Sequence, residues 1–320
     1  MSRASKITAE IIADSINTYG DRLTTFIVTV PRIVLAEFNT HRMFSRNSAS
    51  SRAIPFETML DKVMTEPFIP IKWQKDHKGM QGTEYLTGRD VELADGRWLA
   101  ARNAAVEQAK LLNRNIGVTK QFCNRLLEPF LYHTIIVTSS EWENFFALRA
   151  HEAAEIHIQN LAFKMLDCYN ESTPKQLKAG EWHIPFGDKI DEERVLALIE
   201  SPNKVGKQVE TLKVKIATAR CARVSYLNYE GGDDYEKDII LHDRLSSMGH
   251  WSPFEHCARA MDEVTYNENY NVTNLPHWFG GDDKNYVTNG VSGNFKGFIQ
   301  YRKTFKGENK IDFRVAKLKE

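Results

Sequence analysis

Two segments far apart in the chain, TTFIVTV (24–30) and LYHTIIV (131–137), constrain the fold most. Both are short, apolar and rich in β-branched residues, so they read as strands. Pro31 suits the first turn of a helix, and Arg32 to Asn39 can be that helix. Trp98, Ala101, Ala105, Ala109 and Leu112 recur at helical spacing, and Val118 to Leu127 reads as a further helix stopped near Pro129. From Glu141 to about Asp167 one uninterrupted helix is expected. Ser140 and Glu143 fit a capping box, and Trp142, Phe145, Phe146, Ile156 and Phe163 share its apolar face.

Other segments carry weaker signals. Pro67 to Gly96 holds four glycines among polar residues, which predicts a long loop. After a loop ending near Asp188, charged helical patterns run to about Ala219. Arg223 to Tyr226 reads as extended, and Asp234 to Met248 as a helix closed by Gly249. Phe254 to Val264 alternates weakly, as a strand would, and Asn267 to Gly297 is mostly loop-like. No repeat or composition shift marks a boundary. The class is α+β: a single mixed α/β domain over 1–320, a central twisted sheet flanked by helices, with a loop insertion near 66–97.

Charge narrows the function. The 42 basic and 42 acidic residues cancel, whereas a general nucleic-acid binder carries a basic excess. No run is long and apolar enough for a membrane helix, and MSRASKITAEII lacks the apolar core of a signal peptide. The four cysteines, Cys123, Cys168, Cys221 and Cys257, form no CxxC pair and suit a reducing compartment. A cytoplasmic protein is expected. GxGxxG, Walker and GxSxG motifs are all missing.

Three constellations could carry chemistry. THRMFSRNSASSR (40–52) gathers three arginines, a histidine and four serines with no acidic residue. Arginine forks and serine hydroxyls are the parts of a phosphate site, although a solvated polar loop would look the same. Arg149 falls in the middle of an apolar helix face, so it needs a fixed acceptor: either a ligand or a salt bridge to Glu152 or Glu155. GHWSPFEH (249–256) could hold a ring between polar groups. No metal-ligand spacing is present, so no metal is expected.

Taken jointly, these segments resemble the flavin-dependent thymidylate synthases (ThyX). His41, Arg42, Ser45, Asn47, Ser50 and Arg52 match that family's arginine signature in register. ENFFALR (143–149), NRLLEP (124–129), CARVSY (221–226) and GHWSPFEH are similar to four more of its segments. The order differs, because CARVSY and GHWSPFEH usually precede the arginine signature. The chain reads as a circular permutation or close rearrangement. The FNTHR…FSRN…SSRA variant resembles a branch often carried by bacterial viruses, which implies the cytoplasm of an infected host.

The resemblance implies a thymidylate-synthase-complementing-protein-like fold and transfer of a methylene from methylenetetrahydrofolate to dUMP. FAD reduced by NADPH would be the hydride source. It implies that Ser48, Ser50, Ser51, Arg52 and Arg125 bind substrate, chiefly its phosphate, and that Arg149 contacts the uracil and acts catalytically. Gln300 and Arg302 would replace substrate contacts that Glu37 and Thr40 no longer supply. His41, Arg42, Met43, Asn144, His250, Ser252 and Glu255 would line the cofactor. The partners implied are a pyrimidine nucleotide, folate and three more copies of the chain, in a homotetramer with shared sites. Thr40, Ser48, Ala153 and His157 depart from the family pattern. Two alternatives stay open: hydroxymethylation of dUMP or dCMP, and a non-catalytic nucleotide- or flavin-binding homologue.

Overall fold

The computed structural model describes residues 6–79, 82–199, 205–226, 233–270, 293–306 and 308. The strands are β1 (Thr8–Ile16), β2 (Arg22–Pro31), β3 (Ser45–Ser48), β4 (Tyr132–Ser139), β5 (Lys175–Gln176), β6 (Trp182–His183), β7 (Ala258–Ala260) and β8 (Phe298–Gln300). The helices are α1 (Leu35–Phe38), α2 (Phe56–Thr65), α3 (Arg89–Lys110), α4 (Lys120–Cys123), α5 (Glu143–Arg149), α6 (Ile156–Glu171), α7 (Glu192–Ala197), α8 (Val205–Arg223), α9 (Tyr235–Ser247) and α10 (Glu263–Tyr270). The fold is α+β, as the strand and helix patterns imply.

The two apolar segments pair with each other. β2 and β4 are antiparallel neighbours at the centre of a five-stranded sheet ordered β3-β4-β2-β1-β5, in which only β5 runs parallel to its neighbour. A centre strand is buried on both faces, which explains why these runs are mostly apolar or β-branched and why their buried polar residues, such as Thr25, are hydrogen-bonded. Phe26, Val28, Val30, Ile135 and Val137 face one way, into a core with Trp142, Phe145, Ile158, Leu161 and Met165 of α5 and α6. Ile27 and Ile136 face the other way, against Phe186, Cys221 and Val224. A second, antiparallel sheet β6-β7-β8 lies on that side.

Between the layers runs a buried polar chain. His183 bonds Ser15 Oγ through Nδ1 (2.9 Å) and Thr25 Oγ1 through Nε2 (2.8 Å). Thr25 Oγ1 meets Thr138 Oγ1 at 2.8 Å, and Thr138 Oγ1 meets His256 Nδ1 at 2.9 Å. Both histidines are fully buried, and desolvation lowers each pKa to about 3. The chain therefore joins four strands, β1, β2, β4 and β6, and the GHWSPFEH segment through neutral hydrogen bonds.

Several expectations need correction. The helix over 141–167 is broken. α5 stops at Arg149 and α6 restarts at Ile156, because the Glu155 side chain caps α6 by accepting from the His157 and Ile158 amides. His151 Nδ1 accepts from the Ala153 amide inside the break. The break resets the helical phase, so Phe163 is exposed and α6 buries His157, Ile158, Leu161, Ala162 and Met165 instead. The capping box of Ser140 and Glu143 does not form; Ser140 Oγ accepts from the Lys296 amide. The predicted 118–127 helix is a single α-turn followed by 3-10 turns. Residues 223–226 are not extended: α8 runs to Arg223 and a 3-10 turn follows. The expected loop is shorter, since α3 starts at Arg89 rather than near Trp98. Within the predicted strand 254–264 only 258–260 is strand; 252–255 is a 3-10 turn. Of the expected loop 267–297, residues 271–292 lie outside the described residues, and 267–270 belong to α10. Gly249 does close α9, at φ 72°.

The buried histidines set a pH dependence. His183 and His256 have folded pKa values below their ordinary 6.5, so the unfolded chain binds more protons below 6.5. The stability they contribute is full above pH 6.5 and falls as pH drops toward 3, by roughly 1 kcal/mol per histidine per pH unit. Denaturant titrations at pH 7, 5.5 and 4.5 should show that decline. A flat profile across this range would mean that the two rings are not buried as neutral groups.

Candidate functional site

β3 carries the opening run between two concave regions, one at each end. Its backbone pairs with β4 from Ser45↔Thr138 to Ser48↔Ile135, and the Ala49 amide continues the ladder to Thr134 O at 2.9 Å. The strand's four residues span roughly 13 Å.

Beyond its C-terminal end the chain turns sharply. The Ala53 and Ile54 amides both donate to Ser50 O. Asn124 Nδ2 clamps the turn by donating to Ser51 O (2.7 Å) and Ile54 O (3.0 Å), and Lys120 Nζ donates to Ala53 O. The Ser50 amide donates to Ser225 O at 3.0 Å, joining this turn to the CARVSY segment. The turn walls a cleft of about 430 Å³, lined by Arg32, Ser48, Ala49, Ser50, Ser51, Arg52, Arg125, Glu128 and His133. All five residues expected to hold substrate phosphate line it. Among the described residues the Ser51 and Arg52 amides have no intramolecular acceptor, which leaves adjacent N–H groups for an anion.

Charge in the cleft is uneven. Arg32 is paired with Glu128 at 3.3 Å. Arg52 touches only a neutral group, Gln121 Oε1 at 3.2 Å, and Arg125 has no ion-pair partner among the described residues. Two guanidiniums are thus left uncompensated. That matches a phosphomonoester, which carries close to two negative charges at neutral pH.

A groove of about 190 Å³ lies at the other end of β3. It is lined by Thr40, His41, Arg42, Met43, Phe44, Glu141, Asn144, Phe145, Leu148 and Arg149. Arg149 sits in the last turn of α5, where a cation complements the helix dipole. Its Nε donates to His41 Nε2 at 3.1 Å, and its Nη2 to Thr40 Oγ1 at 3.3 Å. Among the described residues it forms no salt bridge with Glu152 or Glu155, so that alternative is ruled out there. Accepting from Arg149 requires a lone pair on His41 Nε2, which makes the ring neutral with its proton on Nδ1. Burial, then Arg149 and Arg46, lower its pKa to about 4, which agrees. Burial and Glu155 raise the pKa of Glu37, against the opposing pull of the Arg149 charge.

The remaining predicted residues stand in neither region. His250 and Ser252 are exposed on the segment after α9. Glu255 is ion-paired with Arg302 at 2.5 Å, and Arg302 also bonds Glu308. Gln300 is buried; its Nε2 lies 3.2 Å from Ser45 Oγ and 3.0 Å from Asn294 Oδ1. Ser45 Oγ donates to Asn294 Oδ1, and Asn294 Nδ2 to Met43 O. Gln300 therefore anchors the start of β3. His157 docks the 66–88 segment, because its Nε2 accepts the Ile71 amide while Nδ1 meets Glu155. Among the described residues no cluster of His, Cys, Asp or Glu is arranged to hold a metal, and no helix is long and apolar enough to cross a membrane.

The sequence reading missed Arg32, Glu128 and His133 in the cleft. Their signal was register: β2 pairs Val30 with His133 and Pro31 with Tyr132, which brings Arg32 beside them.

The chain is a mixed α+β protein with a polar, arginine-lined turn at the end of a paired edge strand. Residues 23–175 match the family described as thymidylate synthase complementing protein. CARVSY and GHWSPFEH lie outside the matched segment. Among solved structures the chain is similar to a UMP/dUMP methylase, PolB, from Streptomyces cacaoi with 5-Br UMP, at 17% identity and TM-score 0.40, covering 52% of this chain and 90% of that one. It is also similar to thymidylate synthase X from Helicobacter pylori with FAD and dUMP, at 19% identity and TM-score 0.31, covering 46% and 67%. No curated protein matches the chain.

The clamp on the turn is testable. Asn124→Ala removes two hydrogen bonds from a buried site and should cost about 1–3 kcal/mol of unfolding free energy. It should also weaken binding of phosphate monoesters. Full stability with unchanged binding would show that the turn holds its shape without Asn124.

Proposed function

We propose that the protein methylates dUMP to dTMP, with methylenetetrahydrofolate as carbon donor, FAD as cofactor and NADPH as reductant. The observation that carries this reading is the cleft at 48–52. Two uncompensated guanidiniums, three serines and two adjacent amides converge there, in a chain whose residues 23–175 match the thymidylate synthase complementing protein family.

The phosphate of dUMP is held by Arg52, Arg125 and the amides of Ser51 and Arg52. Arg149 stabilises negative charge developing on the pyrimidine ring. It can do so because His41 and Thr40 use only part of its donor fork and fix its plane. The His41 ring stays neutral, so it orients Arg149 without competing for that charge. A thiol nucleophile is not needed. Burial pushes Cys257 up to about 12 and Cys221 well above its ordinary range, so neither is a thiolate at neutral pH.

His41, Arg42, Met43 and Asn144 fit a flavin edge, with an exposed cation for phosphate and an exposed amide for ring hydrogen bonds. When bound, FAD would supply the hydride that completes the methyl group. A groove of about 190 Å³ is smaller than the ~300–1,000 Å³ of whole-ligand pockets, so the rest of the cofactor lies on another surface. His250, Ser252 and Glu255 would contribute to that surface. The separation of the Arg149 groove from the phosphate cleft, on opposite ends of β3, favours sites shared between chains of a homotetramer.

Mass spectrometry of the nucleotide after incubation with dUMP, methylenetetrahydrofolate, FAD and NADPH tests the reaction. Added methyl supports it; added hydroxymethyl or unchanged dUMP contradicts it. Arg52→Ala should weaken dUMP binding by the ~1.5–3 kcal/mol of a charge-assisted contact, and Arg149→Ala should abolish turnover. Mixed after subunit exchange and assayed at a dUMP concentration too low for Arg52→Ala, the two variants should regain turnover if one chain supplies Arg52 and another Arg149. No recovery would assign both arginines to one chain.

A further inference from the structure

His133 is the one polar residue of the phosphate cleft that no charge argument explains. It is the second residue of β4, between Tyr132 and Thr134, and is 8% exposed. Its Nε2 is buried and has no hydrogen-bond partner in the protein. A buried, unpaired polar nitrogen costs about 1–3 kcal/mol, so its retention asks for a partner that is not part of the chain.

Its surroundings define that partner. His133 lines the open cleft together with Ser51, Arg52 and Arg125. It also lines a small inner chamber of about 20 Å³ with Ala49, Ile54, Met59 and Leu131. That volume takes one water-sized group, such as a hydroxyl or carbonyl oxygen, and no more. Burial and the Arg32 charge lower the His133 pKa to about 3, so the ring is neutral at physiological pH and gives a phosphate no counter-charge. Lys62, on the chamber wall, is desolvated as well. The charged work of the cleft thus falls to Arg52 and Arg125, and His133 is left for an uncharged oxygen one step beyond the phosphate.

We propose that His133 is a specificity residue, whose Nε2 hydrogen-bonds an uncharged oxygen of the nucleoside part of the substrate while the arginines hold its phosphate. This rests on the cleft being the nucleotide phosphate site. A neutral imidazole nitrogen serves as donor or acceptor by choice of tautomer, so it can take a sugar hydroxyl or a base carbonyl.

Calorimetric titrations of wild-type protein and His133→Leu with inorganic phosphate, deoxyribose 5-phosphate and dUMP separate the possibilities. The expected result is unchanged affinity for inorganic phosphate and about tenfold weaker dUMP binding, the worth of one hydrogen bond. Weaker deoxyribose 5-phosphate binding alongside would place the contact on the sugar; unchanged binding would place it on the base. His133→Gln, which keeps a polar atom at similar reach, should recover part of the dUMP affinity. Equal affinities in wild type and His133→Leu for all three ligands would overturn the proposal, as would a proportional loss for all three. If wild-type protein binds dUMP no better than inorganic phosphate, the nucleotide reading of the cleft itself fails. Should His133→Leu not fold, the 15N shift of His133 Nε2 in wild-type protein decides. It should move with dUMP and stay put with inorganic phosphate; movement with neither, or equally with both, contradicts the assignment.

Discussion

The pairing of β3 with β4 is the constraint on which the rest depends. β3 is four residues long and sits at the sheet edge, so its own ladder is weak. It is held in place from outside. Gln300 and Asn294 grip Ser45 at one end, and Ser225 receives the Ser50 amide at the other. Each clamp comes from a segment more than 170 positions later in the chain. The candidate phosphate turn and the Arg149 groove therefore hang from the same strand, and both need the C-terminal third of the chain to be folded.

This arrangement brings together segments that lie far apart in the chain. CARVSY and GHWSPFEH fall outside 23–175, yet Ser225 touches Ser50, and the 252–255 turn is tied to β3 through Gln300, which reaches both Ser45 Oγ and Glu255 O. A fold specifies neighbours in space, and the strand does not register which end of the chain supplies them. Gln300 and Arg302 illustrate the point. Arg302 neutralises Glu255, and Gln300 anchors Ser45, so both support the loop next to the candidate site through packing and charge.

Much of this was legible in the residues, for identifiable reasons. The centre strands announced themselves because burial on both faces favours dense runs of apolar and β-branched residues. The candidate phosphate turn was legible as a run of arginines and serines without acids, a pattern that a solvated polar loop shares, and its position beside a cleft was not. The break at 150–155 was hidden, since its cause is a side chain, Glu155, capping a helix inside a continuous helical pattern. Local periodicity cannot reveal a cap that competes with it. His133 was hidden for a different reason. A lone histidine in an apolar strand reads as core, and only the register with β2 and the turn at 50–54 shows that it borders a cleft.

The central claim is that the turn after β3 cradles the phosphate of a pyrimidine nucleotide. A crystal structure of the protein with dUMP tests it most directly. The account predicts the phosphate within hydrogen-bond reach of the Ser51 and Arg52 amides and of the Arg52 and Arg125 guanidiniums. Density for the phosphate in the groove beside Arg42 and Arg149, with the 48–52 cleft vacant, would contradict it.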